Sequence, residues 1–294
     1  MKKHKIVFLA TRQWQINELW EPIAKHLVKN YNFDVYVRLH RELDQAAMLE
    51  LLRDCEALIT TWGAPRCSAD FLKKFAPSLQ IIGHAAGSVA SIADESTYDT
   101  GVQIISANPV MAHGVAEWSL LATLLALRNF DAYTAWHGMN KMCYPKASQM
   151  IDIRNATIGI WGMGDTTRHL LRMLAPLQPG RIMVASQHSS KSKIAEFGAE
   201  KTDFETVLKN SDVFHVLVGV NKSNFERLGT EEFAMLKDGA TLVNCGRARL
   251  TNESALIEVL RSKRINAILD GSIRGAEFEQ TRSFRLSIPK ELSG

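Results

Sequence analysis

The chain predicts an α/β fold made of two successive domains, each built on a parallel sheet. Short apolar runs alternate with amphipathic segments along most of its length, and the loops between them are only a few residues long. At 294 residues it exceeds one ordinary domain and suits two. Alternation of this kind demands parallel strands, because a parallel pair needs a crossover and a helix is the usual one.

The first hundred residues set the rhythm. Ile6–Ala10 reads as a strand and Leu19–Lys29 as a helix, with Leu19, Ile23 and Leu27 four apart on one face. Val35–Val37 is a second strand, Ala46–Arg53 a helix, Ala57–Thr61 a strand, Ala69–Phe75 a helix and Gln80–His84 a strand. Val102–Ile105 follows as a strand, and Asn108-Pro109 pairs a capping residue with a proline, which marks a helix start. That helix runs through Val115, Trp118, Leu121 and Leu125 to about Phe130. It is apolar around most of its circumference, so burial between domains or subunits is expected. Residues Ala135–Gln149 read as a connector.

A cleaner pattern begins after Ala156. It predicts strands Thr157–Trp161, Arg181–Ala185, Val213–Val218, Thr241–Asn244 and Ala267–Leu269. Helices Asp165–Leu174, Phe204–Lys209, Glu231–Leu236 and Glu253–Arg261 alternate with them. From Gly271 to Gly294 the pattern is lost.

Composition excludes several classes of protein. With 46% hydrophobic and 22% charged residues the chain is globular rather than disordered. A net charge of +4, with cations scattered among anions, gives no reason for a nucleic-acid partner. The apolar run Leu120–Leu127 falls well short of a membrane span, so no membrane partner is expected. Cys55, Cys67, Cys143 and Cys245 form no C-x-x-C pair, which leaves no metal site or disulfide framework to propose. The charged start followed by Ile6–Ala10 is too short for a signal peptide, so a reduced, cytoplasmic setting is expected.

The segment that carries chemistry is Gly162-Met163-Gly164-Asp165-Thr166-Thr167, directly after a strand and opening a helix. In a dinucleotide-binding turn the first glycine permits the bend and the second lets backbone approach a pyrophosphate. The helix N-terminus supplies amide donors and a favourable dipole. Thr167 replaces the usual third glycine. An ordinary β–α turn would also tolerate two glycines, but the strand–turn–helix–strand context favours a Rossmann domain holding the cofactor on Gly162, Met163, Gly164, Asp165 and Thr166. The returning strand ends in Ser186-Gln187-His188-Ser189-Ser190-Lys191, with no carboxylate to bond a ribose 2′-hydroxyl. Hydroxyls and Lys191 suit a 2′-phosphate instead, so the cofactor is expected to be NAD or NADP.

Three further segments complete a resemblance. They are Gly83-His84-Ala85-Ala86-Gly87-Ser88, Asn108-Pro109 with Val115-Ala116-Glu117, and Leu242-Val243-Asn244-Cys245-Gly246-Arg247. With the glycine turn among them, residues 5 to 270 resemble the D-isomer-specific 2-hydroxyacid dehydrogenases. The resemblance implies a flavodoxin-like substrate domain over residues 1–105 and an NAD(P)-binding Rossmann domain over 106–294, lacking the usual C-terminal return segment. It implies a 2-hydroxy or 2-keto acid substrate and a homodimer built around the long helix. Ala86 and Gly87 would hold the substrate carboxylate, and Arg247 would be the catalytic arginine, its planar fork suited to paired hydrogen bonds. Asp270 would lie near the nicotinamide, with Ser186 and Cys245 also facing the cofactor. As a cysteine at a strand end, Cys245 reads as a small buried filler rather than a nucleophile.

The pattern breaks near the end. The glutamate and histidine that such enzymes use on the substrate hydroxyl have no clear counterparts. The glutamate position falls near Gly275, Glu277 is out of register, and Ile288-Pro289-Lys290 stands where proline–histidine is expected. Loss of an acid/base costs on the order of 10²–10⁴-fold in rate. Lys290 and His84 are conceivable substitutes, and a family member that binds cofactor without efficient turnover is the alternative.

Overall fold

The apolar runs of the first hundred residues become one five-stranded parallel sheet. The computed structural model describes residues 3–130 and 150–270, and the backbone of 283–284. It divides into two units, Met1–Met111 and Ala112–Gly294.

In the first unit the strands are β1 (His4–Ala10), β2 (Phe33–Leu39), β3 (Ala57–Thr60), β4 (Ile81–His84) and β5 (Gln103–Ser106), in the order β2-β1-β3-β4-β5. The central strand β1 is buried from Ile6 to Ala10 because both its faces are covered, which is why it reads as a continuous apolar run. Each fully buried aliphatic side chain here contributes about 1.5–3 kcal/mol. Helix starts follow their caps. Asp44 accepts from the Ala47 amide ahead of Gln45–Leu52, and Ser68 accepts from the Phe71 amide ahead of Ala69–Phe75.

One expectation is corrected. Leu19 and Ile23 do not face the core; they are 41% and 43% exposed. A π-helix, Gln15–Trp20, precedes the α-helix Glu21–Asn30, and the Glu21 amide reaches back to the Ile16 carbonyl. Pro22 has no N–H to continue the ordinary ladder, so the turn widens. The wider turn rotates the buried stripe to Trp20 and Ala24, and Ile16 and Leu27 pack against the cluster that holds Trp20.

The second unit begins within helix Asn108–Leu127. By length and composition this helix could cross a membrane, which the shorter apolar run did not suggest. Small residues, Ala112, Ala116, Ser119, Ala122 and Thr123, form its buried stripe together with Leu127, while Leu121 is 47% exposed. Small side chains let the helix approach the sheet closely; Ala116, Ala122 and Leu127 share a core cluster with Ile158, Ile160 and Val243. The expected connector at Ala135–Gln149 lies outside the described residues.

The second sheet contains β6 (Thr157–Trp161), β7 (Arg181–Ala185), β8 (Glu200–Lys201), β9 (Val213–Val216), β10 (Thr241–Asn244), β11 (Asn266–Leu269) and β12 (Ser283–Phe284). All pairings are parallel, in the order β12-β11-β10-β9-β6-β7-β8. The two-residue strands β8 and β12 leave no periodicity to read in the sequence. Gly159 on β6 lets the helix Phe204–Asn210 and its following turn pack hard on the sheet, since a Cβ there would lie 2.7 Å from Val207 and closer still to Ser211.

Candidate active site

After Trp161 the chain bends at Gly162, whose φ is +111°. A Cβ at that position would lie 2.7 Å from the Leu217 carbonyl oxygen, on the backbone leaving β9. The Gly162 amide donates to the Ala185 carbonyl at the end of β7. The turn therefore sits where β6 has β7 on one side and β9 on the other. The chain winds outward from β6 through β7 to β8, then restarts at β9 and winds the other way. Such a switch point leaves a crevice beyond the strand ends, the usual ligand position in an open α/β sheet.

The next residues keep that crevice open. Gly164 is the N-cap of helix Asp165–Leu174 and has no side chain with which to cap it. A Cβ on Gly164 would meet no protein atom within 4 Å. Thr167 is fully buried and donates its hydroxyl to the Gly162 carbonyl, so the residue replacing the third glycine ties helix to turn. Asp165 pairs with Arg168 at 2.9 Å, an i,i+3 contact across the first turn, where an acidic residue also suits the dipole.

A cavity of about 590 Å³ opens beside the turn. Of the expected cofactor residues, Gly162, Met163, Gly164 and Ser186 line it. Asp165 and Thr166 stand in the adjoining helix turn but not on its wall. The remaining wall comes from segments that sequence reasoning missed: Thr202–Phe204, Leu217–Gly219, and Asn221, Ser223, Asn224 and Arg227. Asn224 shapes that last loop, accepting from the Asn221 amide at 2.6 Å and donating to the Gly219 carbonyl at 2.8 Å. The signal that could have found this wall is topological, since the strand beside the glycine turn must supply the other side of the crevice.

Arg247, Cys245 and Asp270 form a separate cluster at the ends of β10 and β11. Asn244 organises it, its Oδ1 accepting from the Gly246 amide at 3.0 Å while its carbonyl accepts from the Asp270 amide at 2.9 Å. Burial pushes the Asp270 carboxyl above the usual range, and the positive charge of Arg247 opposes that rise. The structure thus brings Arg247 and Asp270 within electrostatic reach. Cys245 has its own side-chain partner. Its thiol is buried 3.1 Å from the Ser119 hydroxyl and is pushed up to about 12 by burial.

In the first unit, Ala86 and Gly87 follow β4. Ala86 is buried, and its carbonyl accepts from the Ala107 amide at 3.2 Å. A Cβ on Gly87 would stand 3.5 Å from Asn108 Oδ1. His84 is 2% exposed, with Nδ1 2.9 Å from the Thr60 hydroxyl, and burial lowers its pKa. Its Nε2 has no hydrogen-bond partner among the described residues. Gly275, Glu277 and Lys290, which carry the break in pattern, lie outside the described residues.

With this geometry in place, comparison with known proteins is direct. A model of the "D-isomer specific 2-hydroxyacid dehydrogenase, NAD binding domain" matches residues 120–274, just over half of the chain. The chain belongs to the D-isomer-specific 2-hydroxyacid dehydrogenase family. A glyoxylate reductase from Thermococcus onnurineus is 27% identical over 250 residues, covering 81% of this chain and 72% of that protein. The D-isomer-specific 2-hydroxyacid dehydrogenase of Lactobacillus delbrueckii ssp. bulgaricus, solved in its NAD-complexed form, superposes with a TM-score of 0.72 at 19% identity. That match covers 90% of this chain and 78% of the solved one. An acyclic imino acid reductase in complex with NADPH and D-Arg has the same fold, with a TM-score of 0.72 at 18% identity over 95% of this chain and 87% of the other. The protein is a nicotinamide-dependent oxidoreductase of this family, and its two-domain α/β fold is the one the strand–helix rhythm predicted.

The residues present fit a dinucleotide. The space beyond Gly164 is clear of protein atoms, the helix N-terminus beside it has no side-chain cap, and a cavity continues from the turn to the end of β7.

Proposed function

We propose that the enzyme interconverts a 2-keto acid and the corresponding 2-hydroxy acid, with the pyrophosphate of NAD or NADP seated on Gly162–Thr166. The observation that carries this is the glycine turn at the switch point of the second sheet, opening into a cavity. The bound dinucleotide supplies or accepts the hydride; the chain's own residues bind and orient.

Arg247 is the residue that meets the reacting group. Reduction develops negative charge on the carbonyl oxygen, and a guanidinium offers it and the neighbouring carboxylate two parallel charge-assisted hydrogen bonds. Asp270, next to Arg247 in charge, is the acidic group at the nicotinamide end. Ala86 and Gly87 present the loop proposed to hold a substrate carboxylate. Ser186 faces the ribose, and Cys245 contributes to the cofactor wall through its backbone, because its thiol is engaged by Ser119. A homodimer is the proposed assembly; Val110, Leu121 and Leu124 leave an apolar stripe exposed on helix Asn108–Leu127. A cytoplasmic location suits Cys55, Cys67 and Cys245, all unpaired thiols.

The test is a panel of 2-keto acids with NADH and NADPH, followed at the nicotinamide absorbance. Turnover of at least one is expected, and Arg247→Gln should lower kcat/KM by on the order of 10²–10³-fold. Failure with every substrate despite measurable nucleotide binding would refute the proposed reaction. Light scattering that finds a monomer would refute the dimer.

A further inference from the structure

The end of β7 decides which nicotinamide dinucleotide can sit in the cavity. A carboxylate there would accept from the 2′-hydroxyl of NAD and repel a phosphate in the same place. Here the strand ends at Ala185, and the cavity wall continues as Ser186, Gln187, His188 and Ser189. This loop is held in shape: the Ser189 amide donates to Ser186 Oγ at 3.3 Å, and Lys201 Nζ donates to the Ser189 carbonyl at 2.7 Å. An ammonium is therefore fixed beside a row of hydroxyls.

Lys201 stands behind this loop rather than on the cavity wall, and the charges on the wall itself point the same way. Among the described residues lining it, Asp203 is the one carboxylate, and it is occupied as a helix cap. Its Oδ1 accepts from the Thr206 amide at 2.8 Å and its Oδ2 from the Thr206 hydroxyl at 2.6 Å. Arg227 brings a guanidinium to the same cavity, 5.2 Å over the Phe204 ring and paired with Glu232. Pinned in this way, it loses little freedom on meeting a phosphate.

We propose that this enzyme selects the 2′-phosphorylated cofactor, with Ser186, His188 and Ser189 donating to the 2′-phosphate and Lys201 and Arg227 supplying the opposing charge. This rests on reading the cavity as the dinucleotide site. A phosphate brings about −1.5 to −2 charge and three acceptor oxygens, which this wall can satisfy; a bare 2′-hydroxyl finds no carboxylate free to receive it.

The test is direct binding to the intact protein, independent of turnover. Titration by nucleotide fluorescence should give NADPH on the order of ten-fold or more tighter binding than NADH. The fragments 2′,5′-ADP and 5′-AMP, which differ only in the 2′-phosphate, should separate in the same direction by calorimetry. Ser186→Asp, checked for folding by circular dichroism, should reverse the order by weakening NADPH and strengthening NADH. Arg227→Gln should weaken NADPH several-fold more than NADH, and an equal loss for both would remove Arg227 from the phosphate site. Should both nucleotides bind with NADH equal or tighter, the selectivity is overturned while the dinucleotide site stands. Should neither bind, the site itself is wrong and the selectivity falls with it.

Discussion

The two sheets share one topological device and use it differently. In the first unit the chain winds from β1 to β2, then restarts at β3 and winds the other way, so a switch point lies between β1 and β3. The backbone amides after β1 are engaged by the protein itself. Gln15 is 4% exposed, and its Oε1 accepts from the Thr11 amide at 2.8 Å and the Arg12 amide at 3.2 Å. Thr11 stands beside the loop after β3, its Cγ2 3.4 Å from where a Gly63 Cβ would be. In the second unit the corresponding turn has glycine at its bend and at its helix cap, and a cavity beside it. Topology makes a crevice in both; side chains decide whether the amides at its mouth are engaged by the protein or left for an anion.

Substitutions can break or sharpen that contrast. The largest effect is expected at Gly162, where both a φ of +111° and the Leu217 carbonyl at 2.7 Å oppose a side chain. Gly162→Val should destabilise the protein by about 3 kcal/mol or more in denaturant unfolding and abolish nucleotide binding. Gly164→Val separates the two consequences. No protein atom stands in its way, so the melting temperature should hold while nucleotide affinity falls about 100-fold, because the backbone can no longer approach the pyrophosphate. Unchanged affinity would place the pyrophosphate elsewhere.

In the first unit, Gln15→Ala should cost about 1–3 kcal/mol of stability by leaving the Thr11 and Arg12 amides without their acceptor. Nucleotide affinity should not change, and a loss there would contradict the assignment of binding to the second sheet.

The smallest effect concerns His215 on β9, which is fully buried and pushed down to about 3 by burial. Thr123 donates its one hydroxyl proton to the Ser119 carbonyl at 2.9 Å, so it accepts from His215 Nε2 at 2.8 Å and the ring is neutral. The unfolded chain takes up a proton near the ordinary histidine value of about 6.5 while the folded one does not. Stability contributed by the neutral ring is therefore full above about pH 6.5 and is lost as pH falls toward 3. His215→Leu should flatten the acid limb of stability against pH, followed by circular dichroism. The Thr123 hydroxyl keeps its bond to Ser119 in that variant. An unchanged slope would show that other groups control acid unfolding.

Local periodicity made much of the fold legible. Ala69–Phe75, Thr157–Trp161, Asp165–Leu174 and Glu253–Arg261 can be read directly, because caps such as Ser68 and Asn252 and runs buried on both faces leave strong marks. The π-turn at Gln15–Trp20 could not be read from helical spacing, since Pro22 shifts the register by one residue. At the site, Gly162 and Gly164 announce themselves by type and position. Arg227 and Asn224 do not, because nothing near them in the chain shows that their loop closes over a turn some sixty residues earlier.

By itself the sequence determined the α/β class, the glycine turn and the absence of a carboxylate after Ala185, because each is a property of neighbouring residues and short-range backbone preference. Only the tertiary structure decided that β9 lies beside β6, that Gln15 engages the amides after β1 while a cavity opens beside Gly162, and that the Cys245 thiol meets the Ser119 hydroxyl. Those outcomes depend on which distant segments the burial of apolar faces brings together, and no local pattern encodes that choice.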